Sequence, residues 1–114
     1  MMIDIKNAPK PFCNKDAKQI SNLASFLKAI SEENRLRIIC FLTSGEKCVC
    51  EIYSFLDLSQ NLVSHHLKVL RDEEILQSRK SGLNVYYSID WEKLNSQKEV
   101  LSCVLKNKIG DKWL

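Results

Sequence analysis

Apolar residues along the chain fall into blocks of helical spacing, one alternating block, and polar breaks between them. From Asp16, a candidate N-cap, Ile20, Leu23, Ala24, Leu27 and Ile30 recur at steps of about three or four residues and predict a first helix. Ser31 is expected to cap a second, "EENRLRIICFLTS", apolar without a break from Ile38 to Leu42 and therefore read as a buried central helix that Gly45 ends. A short helix from about Val49 to Asp57, a tight turn at Leu58 and Ser59, and a longer helix "QNLVSHHLKVLRDEE" capped by Ser59 suggest a helix-turn-helix. "LQSRKSGLNVYYSI" then alternates on either side of Gly82, with Val85, Tyr87 and Ile89 on one face, as a β-hairpin with a charged tip does. Asp90 caps a last helix whose stripe of Leu94, Leu101, Val104, Leu105 and Ile109 calls for a partner surface. Residues 1–15, with Pro9 and Pro11, read as an extended arm, and 16–114 as a single domain. The expected fold is mainly α with a small β-hairpin, in the order of a winged helix-turn-helix.

Composition narrows this little. With 114 residues, 45% hydrophobic and 27% charged, the chain suits one globular domain, and a net charge of +3 permits a polyanionic partner without demanding one. No apolar run reaches signal-peptide length or the roughly 20 residues of a membrane span, so a cytoplasmic protein without a membrane partner is expected. Five cysteines, at 13, 40, 48, 50 and 103, are an odd count for a compartment that keeps thiols reduced, and point to metal or redox chemistry before a disulfide framework.

Periodicity divides the second helix of the helix-turn-helix. Val63, Leu67 and Leu70 fall to the core, leaving Gln60, Asn61, Ser64, His65 and Lys68 outward. Gln and Asn can pair bidentately with adenine, and Ser and Lys reach base edges or phosphates, so this face suits a DNA major groove. His66 shares the inner side and reads as a hydrogen-bonded structural histidine. Arg79 and Lys80, ahead of the hairpin glycine, are placed to flank a phosphate backbone or enter a minor groove. A cysteine nucleophile served by His65 or His66 would lack an orienting third group, and the chain has no glycine-rich loop; an enzyme is not expected.

The stretch "EKCVCEIYSFL" sets two cysteines one position apart. In a regular helix Cys48 and Cys50 would lie about 100° either side of Val49 and could not share a ligand, so one soft ion joining them would require the first helical turn to unwind.

"NRLRIICFL", "GEKCVCEI", "LSQNLVSHHLKVLRDEEIL" and "RKSGLNVYYSI", in this order, resemble the ArsR/SmtB metal-responsive repressors over nearly the whole chain. The resemblance implies a homodimer built on the first and last helices, bound to operator DNA until an inducer releases it. Two subunits would carry 2 × 3 = +6 and set their recognition helices about 34 Å apart on an imperfect palindrome. It also implies a thiolate site at Cys48 and Cys50, with Cys13 of the arm as third ligand from the same or the partner subunit. Three thiolates suit As(III) or Sb(III); Cd(II) or Pb(II) is the alternative, and a tetrahedral ion would want a fourth ligand. Some relatives instead link cysteines of the second and last helices under sulfide or oxidant, which makes Cys40 and Cys103 an alternative redox pair. The carboxylate and histidine site of zinc sensors on the last helix is not available, since no histidine follows residue 66.

Overall fold

The computed structural model describes residues 15–106; the arm with Cys13, and Ile109, lie outside the described residues. Five helices and a small sheet follow in the order α1 (Ala17–Ile30), α2 (Glu33–Leu42), β1 (Lys47–Cys48), α3 (Val49–Leu56), α4 (Gln60–Asp72), β2 (Leu76–Ser81), β3 (Asn84–Ile89) and α5 (Trp91–Leu105). The mainly helical, winged helix-turn-helix expectation holds.

Local chemistry sets the boundaries. Asp16 caps α1 by accepting from the Gln19 N–H at 2.7 Å, while the Gln19 side chain accepts from the Asp16 N–H, satisfying two donors that a helix start leaves open. The cap of α2 is Glu32, which accepts from the Arg35 N–H; Ser31 instead donates to the Lys28 carbonyl and closes α1. Gly45, at φ 132°, takes the turn out of α2 through a conformation L side chains rarely adopt. Asp57, at φ 54°, ends α3, and Ser59 opens α4 two residues later by accepting from the Leu62 N–H.

One apolar cluster gathers every helix. Ile38, Ile52, Val63, Leu70 and Ile75 are fully enclosed, with Leu23 and Phe26 of α1 and Val100 of α5 around them. Burying such a side chain is worth about 1.5–3 kcal/mol, so this cluster fixes how α4 sits on the rest. The apolar run of α2 is buried on one side only: Ile38 and Leu42 are enclosed, Ile39 and Phe41 half-buried and Cys40 exposed. Phe41 finds cover by stacking on Phe55 of α3, ring centroids 4.2 Å apart. On α5 the buried line is Gln97 and Val100; Leu94 and Leu101 pack half-buried on the same core, while Val104 and Leu105 are exposed.

The sheet has three strands where the sequence predicts two. β1 joins the hairpin antiparallel in the order β1-β3-β2, pairing Lys47 with Tyr87 and Cys48 with Tyr86, while Arg79 of β2 faces Tyr86 from the other side. A two-residue strand has too little alternation to be seen in a sequence, yet it moves Cys48 out of the helix.

Candidate DNA interface and thiol pair

The outward row of α4 stands as periodicity predicts. Gln60, Asn61, Ser64, His65 and Lys68 are all exposed, and Val63, Leu67 and Leu70 are enclosed. Two of the outward groups have partners within the chain: Lys68 is 2.8 Å from the Asp72 carboxylate one turn on, and the Ser64 hydroxyl lies 3.1 Å from that of Tyr53 on α3. Exposed pairs of this kind are weak and can be exchanged for DNA contacts. A cleft of about 340 Å³ runs between α4 and the hairpin, with Tyr53, Ser64, Lys68, Arg71 and Tyr87 among its walls. Two cations and three hydroxyls there could face the phosphate backbone that separates a major-groove helix from a wing. Periodicity alone does not single out Tyr53, while Arg71, one turn on from Lys68, continues the outward row.

Arg79 and Lys80 are both exposed on β2, but Arg79 is engaged. Its Nη2 and Nε donate to the two carboxylate oxygens of Glu46 at 2.6 and 3.0 Å, and its guanidinium lies 4.8 Å over the Tyr86 ring. The hydrogen-bonded guanidinium holds the Glu46 carboxyl below its usual range, and Glu46 in turn raises Arg79.

His66 is structural, as its inward position predicts. Only 5% exposed, it places Nδ1 3.5 Å from Arg35 Nη1 and 3.6 Å from Glu32, while Arg35 Nε donates to the Ala29 carbonyl at 2.6 Å. The cluster ties the end of α1, the start of α2 and the recognition helix together. Burial pushes the His66 pKa below its ordinary 6.5; the Glu32 carboxylate opposes this and the Arg35 charge adds to it. A depressed histidine favours the folded state in its neutral form, so this stabilisation is complete above pH 6.5 and is lost as pH falls through the lower folded-state value. Thermal unfolding from pH 7.5 down to 5 should show this loss, and His66→Gln should flatten that part of the profile.

The thiol pair differs from its helical expectation. Cys48 is the N-cap of α3, with extended backbone at φ −68° and ψ 147°, and only Cys50 lies within the helix. The extended residue swings its side chain toward the helix start, so the Cys48 and Cys50 sulfurs are brought side by side, 2.7 Å apart, with no unwinding; this is longer than the roughly 2.05 Å of a disulfide and closer than two unbonded thiols rest. Cys48 is buried and Cys50 exposed, both free thiols, and Glu51 reaches back to accept from the Cys48 N–H at 3.0 Å. The neighbouring Cys48 sulfur, with some burial, raises the Cys50 pKa. Two sulfurs on one tetrahedral ion at about 2.3 Å each would stand about 3.8 Å apart, so capture asks the pair to spread by roughly 1 Å, within reach of side-chain rotation. The donor set therefore fits a soft ion on two sides. Among the described residues no third His, Cys, Asp or Glu completes a metal cluster. Cys40 is exposed on α2 and Cys103 half-buried on α5.

Comparison with known proteins follows the same lines. Residues 32–78, from the α2 cap to the hairpin, match the family described as "Bacterial regulatory protein, arsR family". The arsenical resistance operon repressor of Staphylococcus aureus is 35% identical over 98 residues, covering 78% of this chain and 94% of that protein. The transcriptional repressor SmtB homolog of Synechocystis is 36% identical over 72% of this chain, and the match spans 63% of its own length. Among solved structures, HlyU from Vibrio cholerae superposes with a TM-score of 0.65 at 32% identity, covering 81% of this chain and all of that one. With this match in sequence, an exposed polar recognition helix and a charged wing, the chain belongs to the ArsR family of DNA-binding, winged helix-turn-helix transcriptional regulators, which are not enzymes.

Proposed function

We propose that this protein is a cytoplasmic, homodimeric repressor released from its operator when a thiophilic ion, As(III) or Sb(III), is captured by Cys48, Cys50 and Cys13. The observation that carries this reading is the pair of sulfurs 2.7 Å apart at the first turn of α3, the opening helix of the DNA-reading unit. Thiolates are soft donors, and three of them complete a trigonal ion; a fourth ligand would be needed for tetrahedral Cd(II). The similarity to an arsenical resistance repressor supports the same choice. No helix among the described residues is long and apolar enough to cross a membrane.

Gln60, Asn61, Ser64, His65 and Lys68 would enter the major groove, with Arg79 and Lys80 beside the backbone. Release follows from position: the thiol pair sits at the N-terminus of α3, and Tyr53, one turn further on, holds Ser64 of the recognition helix. Side-chain rotation alone spreads the sulfurs and leaves α3 in place; drawing the third thiolate, Cys13, onto the same ion would pull on the start of α3, and that pull would reach α4 through this contact and the shared core. Gel shifts of the reduced protein on a palindromic fragment from upstream of its own gene, titrated with As(III), test the reading: the shifted band should disappear as the ion saturates the sites.

Dimerisation through α1 and α5 is supported by the apolar residues those helices leave exposed, Ile20, Val104 and Leu105. Val104→Glu is harmless in a monomer, where the residue already meets solvent, but would bury an unpaired charge in a dimer at a cost of several kcal/mol. It should sediment as a monomer and lose operator binding; sedimentation as an undisturbed dimer would place the interface elsewhere. The competing reading is a persulfide- or oxidant-sensing repressor using Cys40 and Cys103, of which Cys40 is exposed and Cys103 half-buried.

A further inference from the structure

The wing carries a feature that DNA binding alone does not explain. Arg79 is placed on the hairpin to meet phosphate, yet one edge of its guanidinium, Nε with Nη2, is taken by Glu46, and its flat face rests on Tyr86. Glu46 comes from the turn that leads into β1, 33 positions away in the chain. The strand that follows pairs Cys48 with Tyr86, and Tyr86 pairs with Arg79, so these three residues form one row across the sheet. The guanidinium is held from two sides, with the carboxylate at hydrogen-bond distance along one edge. A phosphate approaching it meets the Glu46 carboxylate as well, and like charges repel.

We propose that Glu46 is a positioning residue that competes with the DNA backbone for Arg79: the carboxylate holds the wing's arginine along the sheet in the free protein and must give it up when DNA is bound. Glu46 thereby sets the threshold of binding without touching DNA, and a change in β1, which begins at the next residue, alters how tightly Arg79 is withheld. The proposal rests on the reading of Arg79 as a phosphate contact. It does not need the thiol site to sense an ion.

Glu46→Gln keeps the shape of the side chain and removes its charge, and the position lies at the surface, so the fold is preserved. The full-length reduced protein, with no metal added, is titrated onto a labelled duplex from upstream of its own gene and onto a scrambled duplex. Removing the competing charge from this exposed ion pair should tighten binding by about 2- to 5-fold per half-site. Both duplexes should gain alike, because phosphate carries no sequence. In an Arg79→Ala background the same substitution should change nothing, which a double-mutant cycle reads directly. Unchanged or weaker binding by Glu46→Gln overturns the proposal while leaving Arg79 as a DNA contact. A gain that persists without Arg79 also overturns it, since the effect is then only the loss of a negative charge near DNA. If Arg79→Ala alone binds both duplexes at full strength, the DNA role of Arg79 fails, and the competition with it.

Discussion

Cys48→Ser and Cys50→Ser should bind the operator as tightly as the unaltered chain and no longer leave it when As(III) is added. Serine is among the best N-cap residues, so Cys48→Ser keeps the start of α3, and Cys50 is exposed, so its replacement disturbs no packing. What each variant loses is a soft donor, and a hydroxyl does not replace a thiolate on a thiophilic ion. The effect is large because the switch is large: moving occupancy from 99:1 to 1:99 requires the ion to favour the released form by about 5.5 kcal/mol. Cys13→Ser should weaken capture and leave a partial response, while Cys40→Ser and Cys103→Ser should respond as the unaltered chain does. Fluorescence anisotropy of a labelled operator, read before and after the ion, distinguishes these outcomes. If only the last two variants lose induction, the sensing pair is Cys40 and Cys103.

The second large effect concerns specificity. Gln60→Ala combined with Ser64→Ala should leave a folded protein, since both side chains are exposed, but should bring operator affinity close to that for unrelated DNA. Each good base contact discriminates by about 1–3 kcal/mol, and a dimer presents the pair twice, so preference should fall by roughly a thousandfold or more. Ser64 gives up its contact with the Tyr53 hydroxyl in doing this, an exposed hydrogen bond of small net value. The ratio of affinities for operator and scrambled duplex is the quantity to measure. An unchanged ratio would remove these two residues from the reading face.

The elements that sequence made legible are those governed by local rules. Asp16 and Gln19 form their capping box within four residues, Ser59 caps α4, and the periodicity of α4 separates Val63, Leu67 and Leu70 from the outward row without any tertiary information. What stayed hidden depends on contacts distant in the chain. β1 exists only because Tyr86 and Tyr87 lie alongside Lys47 and Cys48, and no pattern within two residues announces it. That strand is why Cys48 caps α3 instead of belonging to it, and why the two sulfurs meet without the unwinding that helical geometry required. Arg79 reads in the sequence only as a phosphate contact, because its partner Glu46 is 33 residues away. The run from Ile38 to Leu42 suggested burial all round, yet Cys40 faces outward, because apolar composition alone does not say which side of a helix is covered.

The most direct test of the central claim is an anisotropy titration of the reduced protein on its labelled operator, with As(III) added stepwise to one sample and a persulfide donor to another. Capture of one ion per site at Cys48 and Cys50 predicts release that saturates with As(III), and an operator that stays bound under persulfide. Release by persulfide, with the complex indifferent to As(III), would contradict it.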